Sequence, residues 1–212
     1  ARFKPKLRTF FNNIAKDVRV SLKIRRQTLN MSIYEPDLIA ILREQYRKVS
    51  KNFLVIGKKD LTKSIKIKFN KELEIENNKI SEDERDFDAE TLREVEEENR
   101  KISLLEAALI IATTQRILDK SIAKANILEI ETLSRLSDAE FSTAVTKEFK
   151  TRNITRIPVI AATETQKIAE GTKEIQALAA NDILLEEDEI LFKKWNATLD
   201  EKTRAAHARA DN

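Results

Sequence analysis

The chain has no cysteine, two glycines, three prolines and only 6% aromatic residues. Without cysteine, disulfides and thiolate metal sites are excluded, and the composition fits assembly in a reducing cytoplasm. An all-β sandwich needs turn residues at short, regular intervals, and so few Gly and Pro in 212 residues cannot supply them. Long helices with few tight turns follow instead. The scarcity of aromatics leaves the core to Leu, Ile and Ala. The longest apolar run, Ala107 to Ala112, is far too short to span a membrane. The basic start never gives way to an apolar h-region, so nothing reads as a signal peptide. The first residue is Ala rather than Met, which fits a fragment or a processed product.

What is abundant is charge, at 35% of residues, and it is segmented. Residues 1–71 carry nineteen Lys and Arg against five Asp and Glu, whereas 72–100 carry four against thirteen. The net charge of +3 hides this division, and segmentation of this kind points to different partners for different parts.

Periodicity then places the elements. Leu7, Phe10, Phe11, Ile14, Val18 and Leu22 recur at three and four residues, predicting a helix from Pro5 to about Thr28. Glu35-Pro36-Asp37 reads as a helix start, and Leu38, Ile41, Leu42, Tyr46, Val49, Phe53 and Ile56 carry that helix to a stop at Gly57. Residues 60–76 fit two patterns, with a slight preference for helix because Leu61, Ile65, Phe69 and Leu73 stand four apart. Residues 77–88 read as an acidic loop or linker. A long helix is expected from near Asp88 past Leu118, with the dense run Leu104 to Ile111 buried on most sides. Ser137-Asp138-Ala139-Glu140 matches a capping box. The helix it starts should end near Arg152, and another should run from about Ile154 to Ala180 with Pro158 near its first turn. Leu191, Phe192 and Trp195 form a short apolar segment with strand character, followed by a last helix capped by Asp200. The expected fold is mainly α: an elongated helical protein with a small C-terminal α+β element.

Individual residues offer few chemical roles. Lys4, Lys6, Arg8, Arg19, Lys23, Arg25 and Arg26, with Lys58, Lys59, Lys63, Lys66 and Lys68, supply charge for phosphate or for an acidic partner. The plainer reading of the same residues is a solvated helix face. Asp200, Arg204 and the only histidine, His207, fall four and three apart and could share a helix face. An Asp/His pair hints at hydrolysis, yet no Ser or Cys stands in a nucleophile setting and no second His is available for a metal. A structural network is therefore expected, with no catalytic residue, metal or cofactor. Trp195 reads as a core anchor and Glu164 as an ordinary surface or N-terminal charge. There is no P-loop and no dinucleotide fingerprint.

The combination is more specific than its parts. Ile154-Thr155-Arg156-Ile157 leading to Ala161-Ala162-Thr163-Glu164 resembles the R-x-I-A-x-T-E helix of the Mu F-like phage head-morphogenesis family. Lys193-Lys194-Trp195-Asn196-Ala197-Thr198-Leu199-Asp200 resembles that family's K-x-W-x-A-x-x-D segment, and Thr203-Arg204-Ala205-Ala206-His207 the R-x-R-x-x-H that follows it. Glu35 to Val49 is similar to a helix near the start of such proteins. Two departures stand out: Lys202 replaces the first Arg of R-x-R, and Asp211 is followed by Asn212 where the family has Asp-Gly and a Cys-containing tail. The resemblance implies a minor head protein present in few copies inside the phage head and assembled in the host cytoplasm. Its partners would be the portal protein, the major capsid protein and, through the basic third, packaged double-stranded DNA. It makes Thr163, Glu164, Trp195, Thr198, Asp200, Arg204 and His207 a structural motif. On this reading residues 1–76 are a basic helical segment, 77–88 a linker and 89–212 the head-morphogenesis domain. The alternative is a sequence-nonspecific DNA-binding protein acting through its basic helices.

Overall fold

Four helices are present in the computed structural model, which describes residues 3–25, 29–69 and 80–185, with side chains for 3–23, 29–57 and 89–179. They are α1 (Phe3–Arg25), α2 (Glu35–Phe69), α3 (Ile80–Glu131) and α4 (Asp138–Leu185), with a 3-10 turn, Met31–Tyr34, before α2. Among the described residues there is no strand, so the chain is mainly α. The expected C-terminal α+β element lies outside the described residues. No helix among them is long and apolar enough to cross a membrane.

The packing follows the apolar stripes. Leu7, Phe11, Ile14, Val18 and Leu22 bury one face of α1, and Leu38, Leu42 and Tyr46 bury one face of α2. α4 touches each of the other three helices, and one core unites all four. α1 runs antiparallel to α4: the Ser142 hydroxyl donates to the Arg19 carbonyl at 2.7 Å, while Phe3 meets Ala161 and Thr165 across a groove. The 3-10 turn is fixed at its start. Asn30 accepts from the Ser32 amide at 3.0 Å, and the amide of the fully buried Met31 donates to Gln115 on α3 at 2.9 Å.

Several helix boundaries differ from the periodicity reading. Gly57 is no stop, because α2 continues to Phe69. A Cβ on Gly57 would lie 2.0 Å from Gln176 Oε1, so the glycine makes room for a side chain of α4. That Gln176 amide donates to the Leu54 carbonyl at 2.9 Å and ties α4 to α2. Residues 80–88, expected as loop, are the first turns of α3. The two helices expected over residues 137–180 are one, with Pro158 inside it. Ile157, Ile160 and Ala161 are buried on either side of the proline, and this burial holds the backbone helical despite the lost N–H. The run Leu104 to Ile111 is also less enclosed than expected, because Leu104, Leu105 and Leu109 are exposed.

The α3–α4 connection shows what a glycine-poor chain does at a turn. Ser134 N–H donates to the Glu129 carbonyl at 3.2 Å and Leu133 N–H to Ile130 at 3.2 Å, a Schellman closure. Leu133 fills the left-handed position, φ 51°, where glycine is usual, and its side chain is 94% exposed. Leu133→Gly should therefore stabilise the fold by about 1 kcal/mol, read from urea denaturation; an unchanged or lower midpoint would contradict this. The capping box forms as expected: Glu140 N–H donates to Ser137 Oγ at 3.3 Å, and Ser137 N–H donates to Glu140 Oε2 at 2.9 Å. The Ser137 hydroxyl also donates to that carboxylate at 2.7 Å, and these bonds pull the Glu140 carboxyl below its ordinary range. Ser137→Ala should cost about 1 kcal/mol in the same assay.

Candidate functional site

Of the motif shared with the head-morphogenesis pattern, Thr163 and Glu164 fall among the described residues. Trp195, Thr198, Asp200, Arg204 and His207 lie outside them. Thr163 is exposed beside Ile102 and Lys167. Glu164, one residue on, turns inward and is 4% exposed, which corrects the expectation of a surface charge. Helical geometry explains the difference: Ile157, Ile160, Glu164, Ile168 and Thr172 step by three or four along the inward stripe of α4, and the carboxylate occupies a core position in that row.

Such a position demands partners. Tyr46 of α2, fully buried, donates its hydroxyl to Glu164 Oε2. Glu106 of α3 lies close enough for its charge to act on Glu164, and Lys167 pairs with Glu106 at the solvent edge. Burial is the largest influence on Glu164 and raises its pKa; the Tyr46 bond opposes it, Glu106 reinforces it and Lys167 opposes it, with a net rise. Burial and the facing carboxylate push the Tyr46 phenol far above its ordinary range, so Tyr46 stays the donor at any working pH. The unit joins three helices through one hydroxyl, two carboxylates and an ammonium. Among the described residues no group of three His, Cys, Asp or Glu side chains is placed to hold a metal.

A second polar tie lies two turns along α4. Asn99 of α3 donates to Ser50 Oγ of α2 at 2.8 Å, and the Ser50 and Thr172 hydroxyls are 3.1 Å apart. Thr172 gives its proton to the Ile168 carbonyl at 2.7 Å, which leaves Ser50 to donate to Thr172. Tyr46, Glu106, Lys167, Ser50, Asn99 and Thr172 were all missed by motif reading. A signal existed: polar residues at positions that helical spacing assigns to the core. Naming their partners required knowing which helices meet.

The basic candidates divide. Lys6 pairs with Glu44, which also pairs with Lys48, and the two cations hold the Glu44 carboxyl down at about 2. Lys4, Arg8, Arg19 and Lys23 are exposed, with no carboxylate at ion-pair distance among the described residues. Arg8, Arg19 and Lys23 share one stripe of α1, joined by Lys16, which sequence reading had left out. Asp17, the one acid of α1, points elsewhere and accepts from the Tyr34 hydroxyl at 2.7 Å. The stripe from Arg8 to Lys23 is thus uniformly positive over roughly 22 Å of helix. Lys58, Lys59, Lys63, Lys66 and Lys68 belong to α2, but their side chains, like those of Arg25 and Arg26, are outside the described set.

An open groove of about 750 Å³ runs between α1, α2 and α4, lined by Phe3, Lys4, Gln45, Phe53 and Lys173 among others. The Lys173 ammonium stands 5.2 Å from the Phe53 ring centroid. Comparisons of the chain with protein-family models, curated proteins and solved structures return no match.

Proposed function

We propose that this chain is a minor structural protein of a tailed-phage head, docking on the portal or major capsid protein from the inside and lending α1 to packaged double-stranded DNA. The observation that carries the reading is the α1 stripe of Arg8, Lys16, Arg19 and Lys23, exposed and without acidic neighbours at ion-pair distance among the described residues. Cations in a row at this spacing suit a phosphate backbone and read no sequence. The resemblance of Ala161–Glu164 and Trp195–His207 to the head-morphogenesis family supplies the particle context. Glu164 supports a structural role for that motif, because Tyr46 of α2 donates to it and so ties α2 to α4. On this reading the protein is not an enzyme, and it works inside the head after assembly in the host cytoplasm.

Binding to random double-stranded DNA across a salt series tests the stripe. Four phosphate contacts give a log–log slope of about −3.6. The variant Arg8→Glu/Arg19→Glu/Lys23→Glu should lose at least tenfold in affinity and flatten the slope, with its helical circular dichroism unchanged. A flat slope for the native chain would remove the DNA role. Co-purification with procapsids tests the particle role, and a chain absent from them would end that reading. Binding to DNA without particle association would favour a sequence-nonspecific DNA-binding protein, the reading that rests on the same stripe alone.

A further inference from the structure

We infer that α3 carries a self-complementary face on which a second copy of this chain docks antiparallel. Leu105, Ala108, Leu109 and Ala112 follow the i, i+3, i+4, i+7 spacing of one helix face, and all four are exposed. Leu105 and Leu109 are 66% and 58% exposed, and Leu104 beside them 44%. The opposite side of α3, with Asn99, Ser103, Ala107, Thr114 and Ser121, faces α2 and α4. The helix is therefore apolar outward where it should be wet, and partly polar inward.

The charges at the two ends of the patch identify the occupant. Towards the N-terminus stand Glu94, Glu97 and Glu98; towards the C-terminus stand Arg116 and Lys120. A parallel copy would set like charges against like. An antiparallel copy, with the two-fold axis near Ala108 and Leu109, sets each Leu105 against the partner's Ala112, large against small. In that register Glu98 falls beside Arg116 and Lys120 of the second copy, and Lys101 beside its Asp119. One exposed stripe thus offers both its own apolar complement and its own charge complement. A single helix pair over some 23 residues, roughly 34 Å, buries less than the interface of a tight complex. The dimer is accordingly weak and concentration-dependent.

Sedimentation equilibrium on the full chain, from about 1 µM to about 1 mM, should show a reversible monomer–dimer equilibrium. Leu105→Glu/Leu109→Glu should weaken association at least tenfold while leaving thermal unfolding unchanged, since both side chains are exposed. Glu98→Lys should weaken it about fivefold, and Glu98→Lys/Lys120→Glu should restore it. The native chain has no cysteine, so single cysteines report orientation cleanly. Ala108→Cys should form a disulfide-linked dimer on oxidation, whereas Lys120→Cys, roughly 35 Å from its symmetry mate, should not. A chain that stays monomeric at every concentration overturns the inference, including the case where this face binds only a different protein. So does a dimer indifferent to Leu105→Glu/Leu109→Glu, or cross-linking at Lys120→Cys equal to that at Ala108→Cys.

Discussion

Tyr46→Ala should cost about 3–5 kcal/mol, because it deletes a fully buried aromatic ring. Tyr46→Phe isolates the hydroxyl and should cost about 1–3 kcal/mol by leaving Glu164 without its α2 donor. The pH dependence follows from Glu164. Its carboxyl is raised in the folded chain, chiefly by burial, so the folded state holds the proton more tightly than the unfolded one. Its contribution to stability therefore declines as pH rises from the ordinary glutamate range, about 4.3, through the folded value, and then levels. Glu164→Gln removes that decline while keeping an acceptor oxygen for Tyr46. Urea unfolding of both proteins across acid pH should show the stability difference moving in favour of Glu164→Gln as pH rises. Glu44, Glu97, Glu140 and Glu148 have lowered carboxyls and slope the other way, losing stability as pH falls, but they are common to both proteins and cancel. A difference constant with pH would mean that Glu164 is not raised.

Pro158→Ala should raise stability by about 2 kcal/mol. The proline is exposed inside a 48-residue helix, so its ring contributes little burial. It withholds an N–H from the Ile154 carbonyl and crowds it, at about 3 kcal/mol in a helix interior. The proline also restricts the unfolded chain, and losing that restriction returns roughly 0.4–1 kcal/mol. Thermal and urea unfolding would check the net sign. A destabilised variant would mean that α4 needs the local bend a solvent-side proline permits in order to curve over its core. The Tyr46–Glu164 contact lies less than two turns further on, so comparing the acid-pH profile of Pro158→Ala with that of the native chain would show whether that contact survives.

Much of this was legible in the sequence because it depends on neighbours along one helix. The spacing of Leu7 to Leu22 gave α1 its buried face, and Ser137 and Glu140 announced their cap. The missing turn residues excluded a β fold. Each of these follows from contacts within about four residues, which local order fixes. Gly57, Pro158 and Glu164 were misjudged for the opposite reason. Gly57 looked like a stop until Gln176, far along the chain, filled the space above it. Pro158 looked like part of a new helix's first turn until burial of Ile157 and Ile160 outweighed one missing hydrogen bond deep inside α4. Glu164 looked like a surface charge until α4 turned it towards Tyr46 and Glu106. The run Leu104 to Ile111 erred in the other sense, since hydrophobicity predicts a need for cover but not which chain supplies it. The sequence by itself determined that the described part of this protein is helical, where its apolar stripes lie and how its charge divides. Only the tertiary structure decided which polar residues become partners and which apolar ones remain outside, because both depend on which helices meet, and residues far apart in the chain settle that together.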